Sequence, residues 1–263
     1  MNYLFGKTSP DTIRGRVKKV IFNRKLTCNI CGREIFDGGN FCDECLKTIK
    51  RNDGHICDHC GAPLPYPAAF CDSCANRNLS FSFMRSAFVY TGGVKRVITG
   101  LKYGGKLYLS DVLAEEIFDL YLKTGYSADI VAYVPMVKSR ERKRGYNQSE
   151  AIADGFCRLA GLPLAVGAIE KKENSASQVG LTRDERRRNL EGSFRIADKS
   201  VFKGKKVVLI DDVATTGSTA EVISALVARA GAADIAVFTA AVTAKKVRSA
   251  KDGTPEGENN RKI

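Results

Sequence analysis

VVLIDDVATTGST, residues 207–219, is the stretch that decides the predicted fold. Its first four residues are apolar without polar alternation, which is typical of a strand covered on both faces in a parallel α/β sheet. Asp211 and Asp212 follow at the carboxyl end of that strand, where such sheets bind ligands. A hydroxyl-rich turn with one glycine then leads into an apolar-periodic helix, whose free amides and dipole favour an anion. The stretch therefore predicts a phosphate pocket at one edge of the sheet.

The same stretch resembles the phosphoribosyl pyrophosphate (PRPP) motif of the type I phosphoribosyltransferases. That motif is an apolar strand, two acids, two variable residues and then Thr-Thr-Gly-Ser. The resemblance implies that Asp211 and Asp212 are the catalytic pair and hold the ribose hydroxyls. It also implies that the 5′-phosphate is bound by Thr215, Thr216, Gly217, Ser218 and Thr219. The alternative is a buried strand with a solvated acidic turn and an ordinary helix N-cap.

A second phosphate-binding pattern occurs at residues 100–107, GLKYGGKL. It departs from the P-loop at Leu107, which stands where a serine or threonine must bind the metal ion. The apolar residues before it have helical spacing, whereas a P-loop follows a strand. Both departures argue against an ATPase.

Eight of the nine cysteines form two copies of the pattern C-x2-C-x10-C-x2-C. Two residues between thiolates let both sulfurs face one ion, and two such turns complete a tetrahedral set. We therefore predict two structural Zn²⁺ sites. The ligands of the first are Cys28, Cys31, Cys42 and Cys45, and those of the second are Cys57, Cys60, Cys71 and Cys74.

Three alternatives for these cysteines are weaker. A disulfide framework is disfavoured because residues 1–27 are basic and lack the continuous apolar core of a secretory segment. A redox-active Cys-x-x-Cys normally stands alone beside a βαβ unit. His59 could replace one ligand, but eight thiolates already complete both sites. The ninth cysteine, Cys157, lies in an apolar-periodic segment, and we expect it to be a buried core residue.

Sequence patterns divide the chain of 263 residues into four parts. They are a basic N-terminal helix over 1–27, a double zinc ribbon over 28–78, a phosphoribosyltransferase-like domain over 84–244 and a disordered tail over 245–263. Within the third part, apolar strands are predicted at Ala87–Tyr90, Ile130–Val134, Leu164–Ile169 and from Phe194, with helices between them. The predicted fold class is therefore α/β, a type I phosphoribosyltransferase-like parallel sheet flanked by helices, with a small N-terminal double zinc ribbon.

The formal charge of +13 is concentrated in residues 14–25, 138–144 and 183–188. A basic surface favours polyanions without specifying which one. The first basic run is expected to pack on the zinc region, with membrane or DNA contact as the alternative. No run approaches the 18 apolar residues of a membrane span. With reduced thiols and no export signal, we expect a soluble, cytoplasmic protein.

Four separated motifs extend the resemblance to roughly residues 25–243. They are Leu101–Gly104; Val134 and Pro135 with Arg140 and Arg144–Gln148; Gln178, Leu181, Arg186 and Asn189 with Phe194; and VVLIDDVATTGST. Together they resemble the ComF family, which couples a cysteine-rich zinc region to a phosphoribosyltransferase-type domain. The resemblance implies PRPP binding and a role in natural competence, in handling incoming single-stranded DNA beside competence or recombination proteins.

Three basic residues are candidates for the diphosphate end of PRPP. Lys138, Arg140 and Arg144 follow the Ile130–Val134 strand, where type I enzymes place the pyrophosphate loop. A solvated basic face is the alternative for them. Mg²⁺, bound with PRPP, would neutralise the leaving pyrophosphate. The polar stretch 171–190, with Gln178, Arg183 and Arg186, is predicted to be mobile and to close over the site.

No sequence pattern identifies an acceptor, so two functional hypotheses stay open. The preferred one is a PRPP-binding protein that acts in competence. The alternative is an active phosphoribosyltransferase that transfers ribose 5-phosphate from PRPP to an unidentified base or amine and releases pyrophosphate. A fold indicates a ligand better than it indicates a reaction.

Overall fold

The computed structural model describes residues 26–36, 38–173, 190 and 192–244. The predictions for residues 1–25 and 245–263, and for Gln178, Arg183 and Arg186, lie outside the described residues. The described helices are α1 (Asp43–Leu46), α2 (Gly92–Tyr103), α3 (Leu109–Thr124), α4 (Lys138–Arg144), α5 (Gln148–Ala160) and α6 (Ser218–Arg229). The described strands are β1 (Phe83–Val89), β2 (Ile130–Tyr133), β3 (Ile169–Lys171), β4 (Phe194–Ile196), β5 (Lys206–Ala214) and β6 (Asp234–Val242).

The central sheet is parallel, with strand order β1-β6-β5-β2. β5 lies inside the sheet and has apolar clusters on both faces, so its apolar residues Val207–Ile210 are all buried. This confirms the predicted α/β class with a parallel sheet flanked by helices. Among the described residues, no helix combines the length and apolar character that crossing a membrane requires.

The central strand is longer than predicted. The sequence pattern placed its end at Ile210, because two acids follow, but β5 continues to Ala214. It does so because β6 runs beside it and pairs Asp211 with Thr239 and Val213 with Ala241. Both acids therefore lie on regular strand backbone, which fixes the directions of their side chains.

Two other predicted elements also differ. The basic run 138–144, predicted to be a loop, forms helix α4 because lysine, arginine and glutamate favour helix, and it ends at Gly145 in the left-handed conformation. The strand predicted at Leu164–Ile169 is displaced, since Leu164 makes only an isolated bridge to Val131. The regular strand there is β3, which pairs antiparallel with β4 in a separate two-stranded sheet.

The two cysteine units lie on opposite faces of the central sheet. We call Cys28–Cys45 the first ribbon and Cys57–Cys74 the second ribbon. The first ribbon shares an apolar cluster with Val208 and Ile210, and the second ribbon shares one with Val207 and Leu209. Because neighbouring strand residues point to opposite faces, each ribbon belongs to the apolar cluster of a different face.

The segment around and between the ribbons covers edge strand β1. The N–H of Asn52 donates to the Ala87 carbonyl at 3.1 Å, and the Val89 N–H donates to the Lys50 carbonyl at 2.8 Å. The Met84 N–H donates to the His59 carbonyl at 2.7 Å. These bonds satisfy backbone groups that an open edge would leave for another chain. The ribbons and the sheet are thus joined by backbone hydrogen bonds as well as by apolar packing.

Glycines at equivalent positions of the two ribbons provide a test of this docking. Gly32 and Gly61 both have positive φ, but a Cβ at Gly32 would meet open space, whereas a Cβ at Gly61 would overlap the Met84 carbonyl oxygen. Gly32→Ala should cost only backbone strain. Gly61→Ala should lower the free energy of unfolding by about 1 kcal/mol more, because the second ribbon must move away from β1. Denaturant unfolding of both variants measures the difference, and equal losses would contradict this docking.

Candidate functional site

The two acids of the motif have different partners at the end of β5. Asp212 is buried, and its Oδ1 accepts a hydrogen bond from Lys102 Nζ at 2.9 Å. Asp211 is half-buried, and its Oδ1 accepts from Ser149 Oγ at 2.9 Å and from the Asp212 N–H at 2.8 Å. The pair is therefore held by the C-terminal turn of α2 on one side and the first turn of α5 on the other.

Burial of adjacent carboxyl groups changes their electrostatics. Burial, followed by repulsion from the Asp212 carboxylate, raises the pKa of Asp211 to about 7. The hydrogen bonds from the Asp212 amide and the Ser149 hydroxyl, and the charge of Lys102, act in the opposite direction. Asp212 Oδ2 is buried and has no hydrogen-bond partner in the described part of the chain. It is therefore a buried acceptor whose hydrogen-bonding capacity the described residues leave unused.

The predicted phosphate loop and the first acid line one cavity. Its lining includes Met84, Asp211, Thr215, Gly217, Ser218 and Thr219. Gly217 has φ of 74°, a conformation that glycine adopts without strain, and it forms the N-cap of α6. The free amides at the start of this helix face an anion favourably. The structure thus brings the acid and the hydroxyl-rich turn together, as the sequence predicted.

The remaining motif residues lie beside this cavity. Asp212 is not among the lining residues, because its carboxylate faces Lys102. Thr216 Oγ1 lies 2.8 Å from Ser218 Oγ, and Thr216 lines a neighbouring groove. The cavity therefore contains four of the five predicted phosphate-binding residues.

The three predicted diphosphate ligands lie on α4 and do not line the cavity. Lys138 and Arg140 are exposed, while Arg144 is half-buried, with its guanidinium 5.3 Å from the centroid of the Tyr103 ring. Burial, followed by repulsion from Arg140, lowers the pKa of Lys171, on which Asp211 acts in the opposite direction. Lys171 on β3 is therefore near enough to both Arg140 and Asp211 for their charges to affect its pKa. The role of these three residues as diphosphate ligands stays a prediction.

Sequence analysis missed two residues of the acid site. Lys102 and Ser149 both belong to motifs that carried the family resemblance or adjoin them, yet neither was assigned a role. Their contact with the acids is tertiary, since they lie 110 and 62 positions from the residues they bond. Motif membership was a usable signal, but sequence spacing could not show which carboxylate each would meet.

Both cysteine clusters have the geometry of a tetrahedral zinc site. In each, the four Sγ atoms lie within 4.8 Å of one another. Cys31 and Cys42 Sγ are 3.8 Å apart, and Cys60 and Cys71 Sγ are 3.7 Å apart. Zn–S bonds of about 2.3 Å in a tetrahedron require sulfurs about 3.8 Å apart, so the donor sets fit Zn²⁺. All these cysteines are free of disulfides, and the two four-cysteine sites predicted from the sequence are confirmed.

The other predictions for this region concern His59 and Cys157. His59 belongs to neither metal cluster, and its ring packs against Phe70 with centroids 4.5 Å apart. Cys157 is buried, and burial raises the pKa of its thiol to about 12. This agrees with its predicted role as a core residue.

The second ribbon adjoins the phosphate loop. Cys60, Cys74 and Arg77 share a groove with Thr216 and Gly217. Ser80, just after the ribbon, donates through its N–H and its hydroxyl to the two carboxylate oxygens of Glu221 in the first turn of α6, both at 2.9 Å. Met84 links the same parts, because its N–H bonds the ribbon while its side chain lines the phosphate cavity. The second ribbon and the residues just after it therefore contact the start of α6 and adjoin the predicted phosphate loop.

Comparison with known proteins agrees with this geometry. The family model for the phosphoribosyl transferase domain matches residues 121–256, slightly more than half of the chain. This chain belongs to the phosphoribosyltransferase domain family. The model for the double zinc ribbon domain matches residues 17–75. The combination of the two confirms the predicted resemblance to the ComF family.

Relatives align with most of the chain. Competence protein F of Haemophilus influenzae is 29% identical over 204 residues, which cover 75% of this chain and 88% of that protein. DNA utilization protein YhgH of Escherichia coli K12 is 27% identical over 217 residues, covering 80% of this chain and 94% of that protein. The solved glutamine PRPP amidotransferase from B. subtilis, complexed with ADP and GMP, aligns at 20% identity with a TM-score of 0.37. That alignment covers 50% of this chain and 26% of that chain.

Zinc content tests the two sites separately. The purified protein should contain about two zinc ions per chain, because each site is closed by its own four sulfurs. Cys45→Ala and Cys74→Ala should each leave about one, since each removes a ligand from a single site. Elemental analysis against protein concentration gives these values. About one zinc in the wild type, or none in either variant, would contradict two independent sites.

Proposed function

We propose that this protein binds PRPP or a related phosphorylated ribose and acts in natural competence, in the handling of incoming single-stranded DNA. One observation carries the ligand assignment. A single cavity brings Asp211 together with four residues of the hydroxyl-rich turn, Thr215, Gly217, Ser218 and Thr219. A sugar that carries a phosphate presents hydroxyls and an anion in the same molecule. This cavity offers a carboxylate acceptor for the hydroxyls, and amide and hydroxyl donors for the phosphate.

In this proposal each group of residues has one task. The 5′-phosphate binds the start of α6, where free amides, hydroxyls and the helix dipole favour negative charge. The ribose hydroxyls donate to Asp211 and Asp212. Lys138, Arg140 and Arg144 on α4 hold the diphosphate by charge, which requires their flexible side chains to reach towards the acid pair.

Mg²⁺ would enter with the diphosphate. Apart from the two cysteine clusters, no group of three or more metal-ligating side chains occurs among the residues that the structure describes. Mg²⁺ in phosphate sites is held largely by substrate oxygens and water, with one or two protein carboxylates, so the acid pair suits it without a protein cage. Bound Mg²⁺ supplies positive charge that offsets the diphosphate.

Calorimetric titration with PRPP tests the ligand assignment. Asp211→Asn and Asp212→Asn should each weaken PRPP binding by about tenfold or more, because each replaces a carboxyl acceptor of a ribose hydroxyl with an amide. Asp129→Asn is the matched control, since Asp129 bonds the Lys206 amide at the opposite end of β5. The control should bind PRPP like the wild type. Undiminished binding in the double variant Asp211→Asn with Asp212→Asn would contradict the assignment.

Turnover is a separate property of the same pocket. If the alternative hypothesis of an active phosphoribosyltransferase holds, PRPP and Mg²⁺ with a suitable base or amine should release pyrophosphate. A pyrophosphate assay over a panel of such acceptors measures this directly. Binding without release in every case favours the binding role.

The DNA part of the proposal is supported by the relatives and by α4. The relatives are named Competence protein F and DNA utilization protein, and both align over most of their length. α4 contains no buried residue and displays Lys138, Arg140, Arg142, Lys143 and Arg144. Tyr103, whose exposed ring lies beside the Arg144 guanidinium, provides a face for base stacking. In this role we place the protein in the cytoplasm, where incoming single strands are processed.

Salt dependence of oligonucleotide binding tests the role of α4. The variant Arg142→Ala with Lys143→Ala should weaken binding of a single-stranded oligonucleotide. It should also reduce the slope of log affinity against log salt by about 0.7 for each phosphate that the two side chains neutralise. Lys203→Ala with Lys205→Ala removes the same charge near the start of β5, at the opposite end of the sheet, and should leave the slope unchanged. Equal effects of both variants would show only a general charge effect.

A further inference from the structure

Lys102 lies outside the PRPP motif, yet its ammonium group meets the second acid of that motif. Nζ lies 2.9 Å from Asp212 Oδ1, and the two side chains are only 20% and 6% exposed. We infer that Lys102 is a positioning residue for ribose recognition, which orients Asp212 and offsets its charge. This inference rests on the proposed function, because it concerns how the same site recognises its ligand.

The need for a counter-charge follows from the composition of the site. Two adjacent carboxyl groups lie at the end of β5, and the ligand proposed for them is itself an anion. The hydrogen bonds to Asp211 come from neutral donors, the Ser149 hydroxyl and the Asp212 amide. In the described ranges, Lys102 is the cation hydrogen-bonded to this pair. Without it, the buried Asp212 would have no counter-ion, which is costly.

The position of Lys102 is fixed by its neighbours in the chain. The Leu101 carbonyl accepts a hydrogen bond from the Tyr146 hydroxyl, and the Tyr103 ring packs under the Arg144 guanidinium. Three consecutive residues at the end of α2 thus contact other elements: Leu101 contacts the α4–α5 connection, Lys102 contacts β5 and Tyr103 contacts the end of α4. Such attachment suits a residue that holds another side chain in place, rather than one that moves with the ligand.

The geometry also selects the oxygen that the ligand can use. Lys102 occupies Asp212 Oδ1, while Oδ2 is buried and has no partner in the described part of the chain. Because Lys102 holds Oδ1, Oδ2 is the oxygen left to accept from a ribose hydroxyl, which reaches it once the side chains that cover it move on binding. The effect of Lys102 should be confined to the sugar and should not extend to the phosphates.

Ligand titration of lysine variants tests this division. Lys102→Gln keeps a donor for Asp212 but removes the charge, and Lys102→Met removes both. Both should weaken binding of ribose 5-phosphate by about tenfold or more, while binding of inorganic pyrophosphate changes less than about twofold. Lys102→Arg should restore most of the ribose 5-phosphate affinity. Lys106→Met is the matched control, because Lys106 is exposed and lies just after α2, and it should bind both ligands like the wild type.

A double-variant comparison then tests whether Lys102 acts through Asp212. Adding Asp212→Asn to Lys102→Gln should cause no further loss of ribose 5-phosphate affinity. Lys102→Gln already leaves the Asp212 carboxylate without its orienting charge, and Asp212→Asn removes that same carboxylate. Additive losses, or an equal loss of pyrophosphate affinity, would overturn the positioning role.

If the wild type fails to bind ribose 5-phosphate, the proposed function fails. If the wild type binds and Lys102→Gln binds equally well, the inference alone fails. Should Lys102→Met not fold, Lys102→Gln and Lys102→Arg still decide between these outcomes.

Discussion

The site depends on burying two adjacent carboxyl groups at the end of a central strand. Asp211 and Asp212 follow four apolar residues in β5, and β6 keeps their backbone extended by pairing beyond them. Such a pair is unfavourable in an apolar interior unless donors and a cation surround it. The Ser149 hydroxyl and the Lys102 ammonium group come from helices α5 and α2, whose ends converge at this edge of the sheet. Both helices are thus positioned to donate hydrogen bonds to the acid pair. The cavity beside the pair is lined by residues of the turn that leads into α6.

The two zinc ribbons pack against the same central sheet. Small cysteine-rich units have little apolar core of their own, so metal binding supplies much of their folding free energy. Here the two ribbons also share core clusters with opposite faces of the sheet and cover its edge strand. The second ribbon has a closer relation to the ligand site than the first, because it shares a groove with Thr216 and Gly217 and contacts Met84, which lines the phosphate cavity. The second four-cysteine site therefore lies beside the predicted phosphate loop.

Sequence patterns correctly predicted the structural features that depend on interactions between residues close in the sequence. The apolar run of β5, the hydroxyl-rich turn and the paired cysteines each act over a few residues, and the structure contains all of them where predicted. The extent of β5 was wrong because its last residues are held in strand by β6, which no local pattern shows. The helix α4 was missed because charge patterns do not separate a basic loop from an exposed basic helix. Lys102 and Ser149 reach the acids only through the packing of α2 and α5, so their contacts required the fold.

A crystal structure of the protein with ribose 5-phosphate is the most direct test of the central claim. The account predicts that the phosphate lies at the start of α6, bonded to amides within Thr215–Thr219, while the sugar hydroxyls donate to Asp211 and to Asp212 Oδ2. Lys102 should remain bonded to Asp212 Oδ1 in that complex. A ligand bound on α4 alone, or a sugar turned away from both acids, would contradict the account.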